Sequence, residues 1–266
     1  MAKKITVIMG SPHKGRTLNV VNRFELEIKK LGEVDFEYIF LNIADLKECR
    51  GCGACLEKGE EHCPLKDDRG EIFNTMMHSD GVIFATPVYS LQVTAQLKKL
   101  LDRLAYIFHR PCFFHKSFLP IVTQGVYGAK DVLKYLDEVA RFWGFKTCPG
   151  LGLTVAWENP LPSEEEKINH EINNAAERFF RQLNNEADPI PGLKEVAIFR
   201  SVRAFHSTNG GMAPDHRYYQ EHGWLDSEYY YPVKLSWYKK LLGNWAEKQA
   251  LKQAEKTNKE KEALRL

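Results

Sequence analysis

Two groups of residues in this chain have types and spacings that could do chemistry. The first is Cys49-x2-Cys52-x2-Cys55-x7-Cys63, with Pro64 directly after the last thiol. Two consecutive C-x2-C steps and a closing Cys-Pro match ferredoxin-type iron–sulfur ligation. Zinc sites more often use pairs separated by a longer spacer, and four thiols without metal are the third reading. Gly51 and Gly53 leave room for a tightly wrapped loop, and His62 beside Cys63 reads as a surface residue. The second group is Gly10-Ser11-Pro12-His13-Lys14-Gly15-Arg16-Thr17. It lies between an apolar run and a helical pattern, where backbone N–H groups and the positive end of a helix dipole make an anion site. Ser11 and Thr17 add hydroxyls, while His13, Lys14 and Arg16 add positive charge; a phosphate monoester suits them.

The turn comes close to the triphosphate pattern G-x-x-x-x-G-K-[ST]. However, Arg16 takes the lysine place, Pro12 sits inside the loop, and Gly81–Thr86 ends in Thr86-Pro87 rather than in a metal-binding Asp. A P-loop-like nucleotide hydrolase is therefore a remote alternative. The dinucleotide pattern G-x-G-x-x-G is absent from this turn.

These residues need elements to hold them. Short β-branched runs recur at Ile5–Met9, Val34–Leu41, Gly81–Thr86, Leu119–Thr123 and Gly152–Val155. Helical periods lie between them: Val21, Phe24, Ile28 and Leu31; Val93, Leu97, Leu100, Leu101, Leu104 and Phe108; Val132, Leu136, Val139 and Trp143; Ile168, Ile172, Ala175, Phe179 and Leu183. One short helix is expected near Glu71–Met77. Such alternation predicts a parallel sheet covered by helices on both faces.

A third motif follows the third run. Pro87-Val88-Tyr89-Ser90 leads into a helix ending Lys98-Lys99-Leu100-Leu101-Asp102-Arg103. A first turn G-S-P-basic, then P-V-Y, then K-x-x-[LI]-D-R resembles the NADPH-dependent FMN reductases of the flavodoxin-like fold. The resemblance covers about Lys3 to Asn185. It implies a doubly wound five-stranded parallel α/β sheet of order 2-1-3-4-5, with FMN at the carboxyl ends of the strands. The phosphate would lie on Ser11, His13, Arg16 and Thr17, with Lys14 adding charge. The isoalloxazine would rest against Pro87, Val88, Tyr89 and Ser90. The turn Thr123-Gln124-Gly125-Val126-Tyr127-Gly128 would meet its other side, where glycines let amides approach closely. Within this group, iron–sulfur flavoproteins carry a compact four-cysteine motif at this place. The cysteine spacing fits them, so Cys49, Cys52, Cys55 and Cys63 are the implied ligands of a [4Fe–4S] cluster.

The function that follows is an FMN-dependent oxidoreductase, with the flavin rather than a side chain carrying the chemistry. NAD(P)H would be the donor and a small molecule the acceptor. The alternative is an electron carrier that exchanges electrons with a ferredoxin-like redox protein. Flavodoxin-like reductases often dimerise, and a homodimer or homotetramer is expected.

Residues 1–187 read as the FMN-binding domain and 188–266 as a C-terminal extension. The extension opens at Asp188-Pro189-Ile190-Pro191-Gly192, continues as a short helix Lys194–Phe205, then as an aromatic, loop-like stretch holding Tyr218, Tyr219, Trp224, Tyr229, Tyr230 and Tyr231. It ends in a helical segment, Val233–Leu266, with an apolar stripe at Trp237, Leu241, Leu242 and Trp245. The arm would either roof the flavin of a neighbouring subunit or pack on its own domain; His206, Asn209, His216 and Arg217 would line a pocket in the first case. Cys112 and Cys148 read as core residues.

The 266 residues are 44% hydrophobic and 27% charged, with a net charge of +2. That composition supports a sizeable core and excludes collagen-like or wholly disordered chains. It shows no basic field for nucleic acid, and no apolar run spans a bilayer. The amino-terminal stretch is too short for a secretory signal, so a cytoplasmic location is expected.

Overall fold

The computed structural model describes residues 2–155, 161–207 and 212–263, with side chains described as far as residue 256. The elements run β1 (Lys3–Met9), α1 (Arg16–Lys29), β2 (Val34–Phe40), α2 (Ala54–Glu57), α3 (Arg69–Met77), β3 (Gly81–Pro87), α4 (Ala95–Arg103), β4 (Ser117–Gln124), α5 (Ala129–Phe142), β5 (Lys146–Thr147), β6 (Leu151–Thr154), α6 (Pro162–Leu183), α7 (Leu193–Ser207), α8 (Ala213–Glu221) and α9 (Trp237–Ala263). The chain divides into two units, Met1–Gly51 with Leu65–Glu186, and Cys52–Pro64 with Ala187–Leu266. Cys49 thus falls in the first unit and Cys52, Cys55 and Cys63 in the second.

The first unit is built on one parallel sheet, in the order β2-β1-β3-β4-β5, with β6 also paired to β4. Every pair is parallel, and β1 sits between β2 and β3 with Ile5 opposite both Phe36 and Gly81. This is the predicted 2-1-3-4-5 order. The fifth strand is broken into β5 and β6 by Cys148-Pro149-Gly150. Pro149 has no N–H for the ladder, although Cys148 N–H still donates to Phe118 O at 2.8 Å. Both pieces lie along β4, so they form one interrupted strand.

The central strands are apolar almost throughout because helices cover both faces. On one face Ile5, Val7, Met9, Ile83, Ala85, Leu119 and Ile121 pack with Val21, Phe24 and Ile28 of α1 and Ile172, Ala175 and Phe179 of α6. On the other, the Phe84 ring meets Phe118 at 5.0 Å and Trp143 at 6.2 Å, and Phe113 stacks on Phe145 at 4.3 Å. Leu31 and Phe108 leave their predicted apolar faces: Leu31 lies just beyond the end of α1, Phe108 closes the short 3-10 turn Ala105–Phe108 that follows α4, and both are exposed.

In the second unit α7 and α9 pack along one another. A Cβ on Gly243 of α9 would lie 3.1 Å from both Val196 and Arg200 of α7, so this glycine permits the close approach. Arg200 and Arg203 of α7 both pair with Glu247 of α9. The stretch expected to be loop-like contains the helix α8. Its apolar side is anchored by Tyr219, whose hydroxyl shares a 3.2 Å hydrogen bond with that of Tyr230. Trp224 Nε1 donates to Tyr230 O at 2.9 Å. Tertiary aromatic packing thus stabilises a nine-residue helix whose own sequence, with Pro214, Asp215 and His216 at its start, carries little propensity. His206 is buried in this unit and His216 Nδ1 lies 2.6 Å from its carbonyl oxygen; Asn209 falls outside the described residues.

No helix among the described residues is long and apolar enough to cross a membrane.

Candidate flavin site and cysteine loop

The first unit carries a cleft of about 220 Å³ at the carboxyl ends of β1, β3 and β4. It is lined by Ser11, His13, Gly15, Arg16 and Thr17 from the first turn, Pro87, Val88 and Tyr89 from the second, Thr123, Gln124 and Gly125 from the third, and Val155. Three loops far apart in the chain therefore meet because their strands are neighbours in the sheet.

The first turn is held from within. Ser11 Oγ donates to His13 O at 2.8 Å, which uses its proton in the loop itself. Gly10 N–H donates to Ala85 O at 2.8 Å, fixing the turn to β3. A Cβ on Gly10 would lie 3.0 Å from Leu97 Cβ and 3.3 Å from Ala85 O, so the close pass requires glycine. Gly15 takes the N-cap position of α1 with no side-chain cap. The amino terminus of that helix, Gly15 to Thr17, therefore opens on the cleft without a capping side chain at Gly15, the arrangement that binds anions.

Thr17 does not cap its helix. Its hydroxyl is buried and shares a 2.8 Å hydrogen bond with the hydroxyl of Thr123, which joins the first turn to the third. Gln124 is also committed to structure: its Oε1 accepts Ala129 N–H at 2.7 Å and its Nε2 donates to Thr154 Oγ1 at 2.9 Å. Val88 N–H donates to Thr123 O at 2.8 Å, tying the second loop to the third. Tyr89 and Gln92 exchange two backbone hydrogen bonds of 2.9–3.0 Å around Ser90 and Leu91. Both central residues have positive φ, 48° and 61°, so this is a tight turn usually built from Asn-Gly.

Four expected residues lie outside the lining. Lys14 Nζ sits over the Phe40 ring at 5.0 Å. Ser90 lies within the tight turn, and Tyr127 projects into solvent. Gly128 caps α5 at φ 110°, where a Cβ would come within 2.9 Å of Val88 Cγ1. Gly15, expected only as part of the turn, and Val155, which was not expected at the site, also line the cleft. Val155 had a readable signal, since it ends the last apolar run and so must reach the carboxyl edge.

The cysteine loop leaves the sheet after β2 and returns at α3. Gly51 and Gly53 adopt φ 62° and 73°, conformations that favour glycine. Cys49 and Cys52 are exposed, Cys55 and Cys63 half-buried. Cys55 lies on α2, which the sequence does not signal and which packs against α8 within the second unit. Among the described residues no three His, Cys, Asp or Glu side chains converge as a metal group. The donor set itself, four thiols on a glycine-bent loop, fits an iron–sulfur cluster. Cys148 is buried and its thiol is pushed up to about 11, chiefly by burial, whereas Cys112 is only half-buried.

The doubly wound sheet with a ligand cleft at its carboxyl edge places the first unit in the flavodoxin-like class. The chain belongs to the NADPH-dependent FMN reductase family, whose model matches residues 3–158. An iron–sulfur flavoprotein of Archaeoglobus fulgidus is 38% identical over 144 residues, which are 53% of this chain and 64% of that protein. The match thus spans less than two thirds of that relative. An iron–sulfur flavoprotein of Clostridioides difficile is 27% identical over 204 residues, 75% of this chain and 88% of the relative. Among solved structures, RosB with bound 8-demethyl-8-formylriboflavin-5'-phosphate has a TM-score of 0.55. It covers 89% of this chain and 92% of its own at 11% identity, a likeness of fold alone.

Proposed function

We propose that this chain is an FMN-dependent oxidoreductase that takes electrons from NAD(P)H and passes them to a small-molecule acceptor. The observation that carries the reading is the uncapped amino terminus of α1, opening into a cleft whose other walls are Pro87–Tyr89 and Thr123–Gly125. The amides and the cationic residues Arg16 and His13 would hold the FMN phosphate. The Thr17–Thr123 bridge keeps the two loops at fixed separation, so the site needs little reorganisation on binding. The flat ring of the flavin would lie between the Pro87-Val88-Tyr89 segment and the backbone of Gly125, with exposed Tyr89 as its aromatic neighbour. Bound FMN supplies hydride and single-electron chemistry; the protein positions it and tunes its electrostatics.

The four cysteines are read as ligands of a [4Fe–4S] cluster. Their spacing, the two glycines at positive φ and the naming of the relatives above as iron–sulfur flavoproteins support this. The same naming favours a second reading, an electron carrier that accepts from a ferredoxin-like protein instead of turning over small molecules.

A visible spectrum of anaerobically purified protein, with iron and sulfide assayed on the same sample, tests the cofactors. Flavin bands over a broad absorption that bleaches with dithionite, with about four irons per chain, are expected. A colourless protein that takes up no added FMN would overturn the reading. Steady-state NAD(P)H oxidation with a quinone separates the enzyme from a carrier that only reduced ferredoxin can load.

A further inference from the structure

The long loop between β2 and α3 is pinned at its neck. Asp45 N–H donates to Asp68 Oδ2 at 2.7 Å, and Asp68 N–H returns to Asp45 O at 2.9 Å. Lys47 N–H donates to Asp67 Oδ2 at 2.9 Å, and Lys47 Nζ to Lys66 O at 2.6 Å. One side chain enters this neck from elsewhere in the fold. Arg103, the last residue of α4, donates through Nη2 to both oxygens of Asp67 at 2.9 and 3.0 Å, and through Nε to Oδ2 at 3.2 Å. The two side chains are only 3% and 2% exposed. The remaining Asp67 contact is Arg69 N–H at 3.3 Å.

A buried bidentate pair is a costly way to close a loop, since both charges are desolvated. Replacing it with apolar residues commonly preserves stability, so stability alone does not account for it. Its geometry accounts for it better. A planar guanidinium gripping both carboxylate oxygens fixes direction as well as distance. The helix that carries it is anchored at its other end on the candidate flavin site. Thr94, the N-cap of α4, accepts Leu97 N–H at 3.3 Å and donates to Gly10 O at 2.5 Å. Nine helical residues, about 14 Å at 1.5 Å each, thus form a rigid strut from the first glycine turn to the neck of the cysteine loop.

We propose that Asp67 and Arg103 are positioning residues for the cysteine loop, locking its neck to α4 and thereby to the flavin-side turn. The proposal deepens the reading of Cys49, Cys52, Cys55 and Cys63 as cluster ligands and rests on it for its purpose, though not for its test. Burial works to raise the Asp67 pKa, but the hydrogen bonds from Arg103 and from the Lys47 and Arg69 amides outweigh it and hold the carboxyl below its ordinary range. The pair is therefore charged at neutral pH.

The test uses the full chain and three versions of it: wild type, Asp67→Asn, and the apolar pair Asp67→Leu with Arg103→Met. Iron-free protein is alkylated with iodoacetamide and the modification of each cysteine is followed by peptide mass spectrometry. In both variants the half-buried loop thiols Cys55 and Cys63 are expected to react about tenfold faster or more. Asp67→Asn leaves Arg103 buried without its charge partner, and the apolar pair keeps the packing but loses the directional grip on the neck. Exposed Cys49 and Cys52 react without any opening. Cys148, buried in the core, keeps its wild-type rate, and FMN still quenches on binding. After anaerobic reconstitution with iron and sulfide, both variants lose iron to a chelator faster than wild type, and the cluster midpoint potential shifts.

Unchanged labelling and iron loss in both variants would overturn the proposal. So would a Cys148 rate that rises in step with the loop thiols in both, because the pair would then support only the global fold. If Asp67→Asn alone unfolds, the apolar pair decides. If wild type binds no iron while the loop thiols still accelerate selectively, the cluster reading fails and the latch stands.

Discussion

Thr17 and Thr123 line the candidate flavin cleft from two different loops, and their hydroxyls share a hydrogen bond of 2.8 Å. Thr17→Val removes one partner and strands the other. A buried hydroxyl left unsatisfied costs about 1–3 kcal/mol. FMN affinity is expected to fall about tenfold or more, read from the quenching of flavin fluorescence on titration. Asp67 carries a pH prediction. Its folded carboxyl titrates below the ordinary value of 3.8. The stability it adds is therefore complete above that value and is lost as pH falls through the lower folded pKa. The stability gap between wild type and Asp67→Asn, measured by urea unfolding, is expected to stay flat from neutral pH to about pH 5 and to close only below about pH 4. A gap that closed near neutrality would assign the dependence to another group.

At the scale of elements, the sheet works as a register device. The turns after β1, β3 and β4 meet because those strands are adjacent and parallel. Gly10 is a close contact in the first turn, wedged between Ala85 O and Leu97. Gly10→Ala is expected to push α4 away from the first turn, to cost about 1–3 kcal/mol as overpacking does, and to weaken FMN binding in the same titration. On the far side of the sheet, Phe179 fixes α6 against α1, its ring 6.1 Å from that of Phe24. Phe179→Ala empties a fully buried site and is expected to cost about 3–5 kcal/mol. Denaturant unfolding followed by circular dichroism reads that loss as an earlier midpoint with the native spectrum retained in buffer.

For the whole molecule, the cleft lies entirely on residues of the first unit. FMN is therefore expected to raise the melting temperature of that unit, since a ligand at about 100 times its Kd adds roughly 2.7 kcal/mol to the state that binds it. Calorimetry of the full chain with and without FMN would show the flavin-sensitive transition. A chain truncated after Glu186 is expected to keep FMN binding. Its cysteine segment 52–64 loses the helices with which it groups, and should become the first site of limited proteolysis. Loss of FMN binding on truncation would mean that the extension completes the site. The exposed side of α9, with Trp237, Leu241 and Trp245 at 73%, 59% and 59% exposure, is a broad apolar face for a single chain.

The periodicity of apolar residues by itself determined a parallel sheet covered by helices on both faces, because a strand buried on both faces and a helix buried on one leave different repeats in sequence. The doubly wound strand order was implied by the resemblance to the FMN reductases. The glycine turn was legible as an anion site from its place between a strand run and a helical pattern, and the resemblance joined it to Pro87-Val88-Tyr89 in one expected site. The spacing of the four cysteines by itself left an iron–sulfur cluster, zinc and free thiols as its readings. Tertiary structure decided the rest. No local pattern says that Thr17 would bridge to Thr123 instead of capping its helix, or that Gln124 would spend its amide on Ala129 and Thr154, because those partners lie on other strands and loops. The helix α8 was read as loop because its stability comes from Tyr219, Trp224 and Tyr230 packing together and not from its own propensity. The Arg103–Asp67 latch joins residues 36 apart in the chain. Its value depends on burial, and burial is a property of the folded molecule alone.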